Sequence, residues 1–423
     1  MKKYILFMLS LCFIFSCKKG DLNTFEVVEV WEKPEVKLKQ LTDAIASHKT
    51  GWEFVIEYGP NQVVTYGYLG FNSENSSDFI SDFSKNFSTF DKTNYQFGII
   101  KTNPSIRFPK GSKFANLASD ARLIDTLFTF KSIKSDTITL EGEMSKSIMK
   151  LTKCSPEKLT QLKANSISAD YEKLKKLAEM PRYFFSYKQN GKTFGLEIDT
   201  ANRLLSFISG TNQNPVVTKS NYFFNGSGIS LVKQVDIEGV KIKLIEGLEV
   251  KATSMSSRNG VEISNESKPQ IYDIKTAKEF TEVKGKRLWW LSTDGFGKRN
   301  QPDIAGFQKI PNFTDFNLAP NYDYYEEYKT YFWFMGFNLR GENPGSFHGP
   351  VSRFADNGIL RFIPFLEGAP ATIPSVIQAM NITARYIYNR NGFYVIKTGI
   401  GYTLVDATDG LTWAYFQAPP DLS

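Results

Sequence analysis

A chain of 423 residues, 41% hydrophobic and 22% charged, is long enough for two or three domains that each bury a core, so disorder is not the default. With Lys2 and Lys3 removed the formal charge of +7 becomes +5, spread without a dense basic block, and nucleic-acid binding gains no support. Of three cysteines only Cys154 lies in the body of the chain, which therefore has no internal disulfide and must be held by packing.

Met1-Lys2-Lys3 is a positive n-region, Tyr4 to Phe15 is almost wholly apolar, and Ile14-Phe15-Ser16-Cys17 places a small residue before cysteine. Residues 1–17 thus read as a secretory signal ending in a lipobox, too short for the roughly 20 residues of a spanning helix. The resemblance to bacterial lipoproteins implies that Cys17 becomes the first mature residue, carrying a diacylglyceryl thioether and an acylated amine. Several acyl chains anchor stably where one would not. Residues 18–34 lack strong apolar periodicity and read as a tether. Surface-bound lipoproteins of the Bacteroidota often carry an acidic cluster here, and this chain has only Asp21. The cell surface leads as the expected address, with the periplasmic face of the outer membrane as the alternative.

Residues 35–155 are expected to form a first domain. Leu38, Leu41 and Ile45 recur at helical spacing, Gly51 stops the helix, and Trp52, Phe54, Ile56 and Tyr58 alternate as one strand face. After the Gly59-Pro60-Asn61 turn, Val64, Tyr66 and Tyr68 give a second strand, followed by strands at 95–99, 126–130, 137–140 and 148–151. The pattern recurs over 156–284. Ser155-Pro156-Glu157 opens a helix, Tyr171, Leu174 and Leu177 form its stripe, and Met180-Pro181 ends it. A strand at 183–187, the hairpin dipeptide Asn190-Gly191 and a return at 193–199 begin a second meander, continued at 204–208, 229–232, 235–244 and 248–253.

Residues 285–423 shift toward Trp, Tyr, Phe and Pro and read as an aromatic-rich C-terminal β domain. Asp294 to Tyr328 has little periodicity and suggests long ordered loops over a sheet. Arg390-Asn391-Gly392 looks like a hairpin between alternating runs at 382–388 and 393–397, and Asp409-Gly410 like another. The expected fold is mainly β, in consecutive antiparallel meanders forming lipocalin-like barrels or curled sheets, because open edges invite aggregation. Each of the first two is preceded by a short helix.

No catalytic, metal or cofactor constellation stands out. His48 and His348 are the only histidines and lie far apart, and Cys154 has no CxxC partner. Gly295-Phe296-Gly297-Lys298 lacks the spacing of a phosphate loop. Glu326-Glu327 is the best place for a carboxylate pair, yet adjacent strand residues face opposite ways. Aromatic side chains offer flat faces for sugar rings or peptide side chains, and Trp290, Tyr322 and Tyr325 are the candidate ligand-binding residues. The competing expectation is that these rings fill a core.

The lipobox, the helix running into Gly51-Trp52, the Tyr66-Gly67-Tyr68 strand, Asp125 to Phe130, and Ser135 to Gly142 together resemble a Bacteroidota lipoprotein family of unknown function. Its members are often encoded beside SusC/SusD-like uptake pairs. The resemblance is best over 36–155, weaker to about 265 and poor in the C-terminal third. It brings no catalytic residues. It implies an outer-membrane setting and nutrient capture, with SusC/SusD-like proteins and a glycan or peptide ligand as expected partners. Asp125-Thr126-Leu127, Asp136-Thr137-Ile138 and Asp199-Thr200-Ala201 also match a short O-glycosylation pattern of that phylum. The leading expectation is a non-enzymatic lipoprotein accessory to TonB-dependent uptake. A carboxylate-based glycan hydrolase and a structural envelope protein are the rivals.

Overall fold

The computed structural model describes residues 32–164, 166–282, 289–341, 347–368 and 371–418. The signal, Cys17 and nearly all of the expected tether lie outside them. Among the described residues no helix is long and apolar enough to cross a membrane.

Helix α1 (Pro34–Ala46) begins on proline, whose missing N–H costs nothing in a first turn, and buries Leu41 and Ile45. The first sheet follows as β1 (Trp52–Tyr58), β2 (Val63–Ser73), β3 (Ser76–Ser81), β4 (Asp91–Asn94), β5 (Gln96–Ile100), β6 (Asn103–Arg107), β7 (Leu127–Lys134), β8 (Thr137–Gly142) and β9 (Ile148–Lys153). A second helix, α2 (Lys113–Ala121), lies between β6 and β7, and its N-terminus is capped by the Ser112 hydroxyl accepting from Ala115 N. In space the order is β4-β3-β2-β1-β9-β8-β7-β6-β5, so β9 returns to pair with β1. Only Tyr95 separates β4 from β5 in sequence, although they occupy opposite edges. One residue spans such a gap only if the sheet curls until its edges nearly meet. Its concave core gathers Phe54, Phe79, Phe114 and Phe128 with both helices.

The second sheet repeats this plan. Helices α3 (Pro156–Lys163) and α4 (Ser166–Ala178) precede β10 (Phe184–Gln189), β11 (Lys192–Asp199), β12 (Leu204–Thr211), β13 (Asn214–Phe224), β14 (Gly228–Ile237), β15 (Val240–Glu246), β16 (Glu249–Val250), β17 (Ser254–Ser256) and β18 (Glu262–Glu266). The last strand again pairs with the first, and β15 and β16, two residues apart, sit on opposite edges. Asn190 and Gly191 both take positive φ, as the β10–β11 hairpin requires. The other face of the first sheet, through Tyr66, Tyr68, Ile80 and Cys154, shares a core with the second. Tyr66 stacks on Phe223 across that seam.

The third unit has α5 (Ile274–Thr281), β19 (Trp290–Ser292), β20 (Phe296–Gly297), β21 (Phe313–Tyr325), β22 (Thr330–Leu339), β23 (Phe347–Phe354), β24 (Leu360–Glu367), α6 (Pro374–Ile387), β25 (Phe393–Thr398), β26 (Gly401–Asp406) and β27 (Trp413–Gln417). Pairing of β19 with both β21 and β27 closes an eight-stranded antiparallel barrel. Alternate residues Phe316, Leu318, Trp333, Met335, Phe337, Leu404 and Phe416 fill it, with Phe280 of α5 and Val376, Met380 and Ile387 of α6 in the same core. The barrel docks on the second sheet, with the Phe184 ring of β10 at 5.5 Å and nearly perpendicular to Tyr394 of β25, and Tyr183 N donating to Gly410 O at 2.8 Å.

Mainly β architecture and curled or barrel-like antiparallel meanders agree with the expectation from sequence. Several local readings do not. Residues 382–388 are the end of α6, whose residues Val376, Ala379, Met380, Thr383 and Ile387 face the core at helical spacing from an entry at Pro374. Gly392, at φ 75°, donates to Asn389 O and closes the turn that leads from that helix into β25, not a hairpin between two strands. The loop expected over 294–328 contains β21, the longest strand in the barrel at 13 residues, whose bulges break the two-residue alternation. The run at 235–244 is two strands turned at Glu238-Gly239.

Candidate functional site

Strand β21 sets the site by its alternation. Phe316 and Leu318 point into the barrel, so Asp315 and Asn317 point outward. Register pairs Asp315 with Asn338 and Asn317 with Gly336 on β22, and Leu291 of β19 lies opposite Asn317. Gly336 has no side chain to fill the space beside that amide. The result is a hollow of about 300 Å³ on the outside of the barrel, lined by Trp289, Leu291, Asn317 and Asn338.

An aromatic wall rises next to it. Trp289 meets Phe334 edge-on at 5.2 Å and Tyr322 at 5.7 Å between ring centroids, and Tyr322 lies 5.1 Å from Phe334. Farther along the β21–β22 arm, Tyr325 stacks on Tyr328 and both lie nearly perpendicular to the Phe365 ring. Tyr328 and Tyr331 are 62% and 55% exposed, so the arm carries apolar ring area into solvent. Asn317 is the opposite case, at 1% exposure, and neither its amide nitrogen nor its oxygen has a hydrogen-bond partner. Asn338 donates to Asp315 Oδ1 at 2.9 Å.

The three nominated rings thus separate. Tyr322 belongs to the wall and Tyr325 to the exposed arm. Trp290 does not face the hollow. It is 5% exposed, stacks on Phe280 at 5.2 Å and donates its indole N–H to Phe280 O at 3.1 Å. In a Trp-Trp doublet entering a strand the two rings take opposite faces, and the outward position belongs to Trp289. Sequence reasoning missed Trp289, Asn317 and Asn338. The polar residue between Phe316 and Leu318 signals an outward position, but nothing local signals that it is buried and unpartnered.

Other chemistry-bearing residues lie apart from the hollow, and of these His348 Nδ1 and the hydroxyl of Tyr388 facing it are buried without hydrogen-bond partners. His48 Nε2 lies 2.8 Å from Cys154 O and 2.7 Å from Thr50 Oγ1, tying the end of α1 to β9. Cys154 is fully buried, and burial pushes its thiol up to about 12, far from a reactive thiolate. His348 faces Tyr388, and burial lowers its pKa against the pull of Glu367. Glu326 and Glu327 occupy a short exposed turn between β21 and β22. Among the described residues no group of three or more His, Cys, Asp or Glu side chains is placed to hold a metal.

A family model described as "Domain of unknown function (DUF4302)" matches residues 33–247, just over half of the chain. The chain belongs to that family. The match spans the first curled sheet and the second through β15, and it leaves out the closed barrel. No curated protein matches. Among solved structures, the DNA polymerase β subunit of Streptococcus pyogenes is similar at 10% identity, covering 92% of this chain and 98% of that one, with a TM-score of 0.14. The pol III β of Caulobacter crescentus is similar at 8% identity with the same coverages and a TM-score of 0.17. Likeness at that level carries no inference.

Proposed function

We propose that this chain is an exported lipoprotein, anchored to the outer membrane through acylated Cys17, that binds a ligand or partner without catalysis. In this reading it is an accessory to a SusC/SusD-like, TonB-dependent uptake system of a Bacteroidota cell, on the cell surface. The lipobox supports the anchor, and the resemblance seen in the sequence supports the setting. The observation that carries binding is the outward hollow at Trp289 and Asn317 with its aromatic wall and arm, since a barrel with a filled interior has no structural use for a partly exposed ring cluster on its outside.

Two measurements test it. Palmitate labelling and globomycin-sensitive processing of the parent chain, both absent in Cys17→Ala, are expected; an unlabelled parent ends the anchor. The full chain used as bait in outer-membrane extract is expected to retain a SusC/SusD-like pair or a ligand, with retention falling in Trp289→Ala. Retention of nothing overturns the binding reading.

A further inference from the structure

The hollow makes a chemical selection beyond that of its aromatic wall. Asn317 presents a carbonyl acceptor and an NH₂ donor side by side, both unpartnered and both held 1% exposed. Buried amides without partners are rare in folded proteins because water has been removed and nothing replaces it. Two adjacent hydroxyls would complete such a group in both directions, one donating to the carbonyl and the other accepting from the NH₂. Beside the amide stands the indole of Trp289, a flat apolar surface of the kind on which the C–H face of a sugar ring rests.

Charge and topology narrow the choice. The lining residues Trp289, Leu291, Asn317 and Asn338 are all neutral, so nothing there compensates an anion or a cation. Asp315, next to the hollow, already accepts from Asn338. A peptide recognised by a sheet adds along an open edge, whereas β19 pairs on both sides here and offers none. A volume of about 300 Å³ admits one ring and not a run of side chains. We propose that this hollow takes a single neutral pyranose unit of a glycan, its ring on Trp289 and a vicinal diol on the amide of Asn317. The assignment rests on the reading of this face as the binding surface.

The test titrates the full chain in detergent with methyl glycosides of glucose, galactose, mannose, xylose and N-acetylglucosamine, their neutral disaccharides, glucuronic acid and trialanine, by calorimetry and saturation-transfer NMR. At least one neutral saccharide is expected to saturate at millimolar concentration, with glucuronic acid and trialanine weaker. Trp289→Ala and Asn317→Leu should each weaken binding by about tenfold or more. Asn317→Leu should do so while its unfolding midpoint stays at or above that of the parent, which separates lost contact from lost fold. Binding of no neutral saccharide, or undiminished binding by folded Asn317→Leu, overturns the assignment. If saccharides fail while a protein or peptide is still retained in a Trp289-dependent way, the sugar assignment falls and the binding face stands. If nothing is retained, both fall.

Discussion

Asp82, at the seam between the first two sheets, and Asn317, on the outer face of the barrel, are each 1% exposed. The Asp82 carboxylate accepts from Thr65 Oγ1 at 2.8 Å, Tyr66 N at 2.7 Å, Phe224 N at 2.8 Å and Arg203 Nη1 at 2.7 Å. Thr65 and Tyr66 belong to the first sheet, Phe224 to the second and Arg203 to the turn entering the second sheet's β12. Arg203 also donates to the carbonyls of Val64, Asp82 and Phe83. Asn317 has no such partners. A buried polar group whose bonds are complete fastens two elements together, while one whose bonds are missing costs stability that a ligand supplying those bonds returns.

The severest way to break this comparison is to remove half of the fastener. Arg203→Ala leaves the Asp82 carboxylate buried without its cation and should cost about 3–5 kcal/mol, read as a lowered urea midpoint. Because Tyr66, Tyr68 and Ile80 share the second sheet's core, the first two sheets should still unfold as one unit. A loss below about 1 kcal/mol would show that the seam is held by apolar packing alone.

Asp125 offers a second satisfied case within a single sheet. It accepts from Met144 N at 2.7 Å, Ser145 N at 2.9 Å, Ser147 N at 3.2 Å and Ser147 Oγ at 2.7 Å, closing the β8–β9 turn. Asp125→Ala should cost about 2–3 kcal/mol in the same denaturation assay, and Asp125→Asn less, since the amide keeps one acceptor. The carboxylate that completes the glycosylation pattern Asp125-Thr126-Leu127 is thus a turn fastener in the fold.

How much of this was legible before the structure depends on the range over which each signal acts. Two-residue alternation and dipeptides such as Asn190-Gly191 are local, and they mark many strands of the first two meanders, but not β3, β4, β6, β13, β17 or β18. The C-terminal half of the helix at 374–387, Ile382 to Tyr388, reads as a strand because it also alternates in hydrophobicity, and only Pro374 upstream marks the entry. Closure of the third sheet depends on one pairing, Leu291 with Gln417, more than a hundred residues apart, and no local pattern encodes it. Tyr322 was legible as part of an aromatic string, whereas the choice of Trp289 over Trp290 needs the strand's phase. The pairing of Asp82 with Arg203 joins turns beside separate sheets and leaves no trace in spacing.

Asp170 falls between the two extremes and sharpens the comparison through pH. Its Oδ2 has no partner, and burial raises its pKa to about 6, with Lys173, Lys158 and the Gly228 N–H pulling it back only in part. The folded pKa therefore lies above the unfolded value of about 3.9, so the folded state binds the proton more tightly. The stabilisation is complete below about pH 4 and is lost as pH rises through about 6. Asp170→Asn should accordingly stabilise the chain at pH 8 by on the order of 2 kcal/mol and change little at pH 4. A pH-independent effect would mean that the carboxyl finds a partner in solution.

The smallest expected effect is also the one that reverses sign between the two places. Leucine at position 317 would keep most of the volume of the asparagine and remove two unpaired polar atoms, with Leu291 already beside it as an apolar neighbour. Since replacing an unsatisfied buried group by an apolar one is neutral to favourable, Asn317→Leu should raise stability by about 1 kcal/mol, whereas Asp82→Leu at the seam should lower it by several. Calorimetric melting of the two variants side by side reads both signs in one experiment. A destabilised Asn317→Leu would mean that ordered water already completes the amide, and the hollow would then be a hydrated part of the fold with nothing left for a ligand to supply.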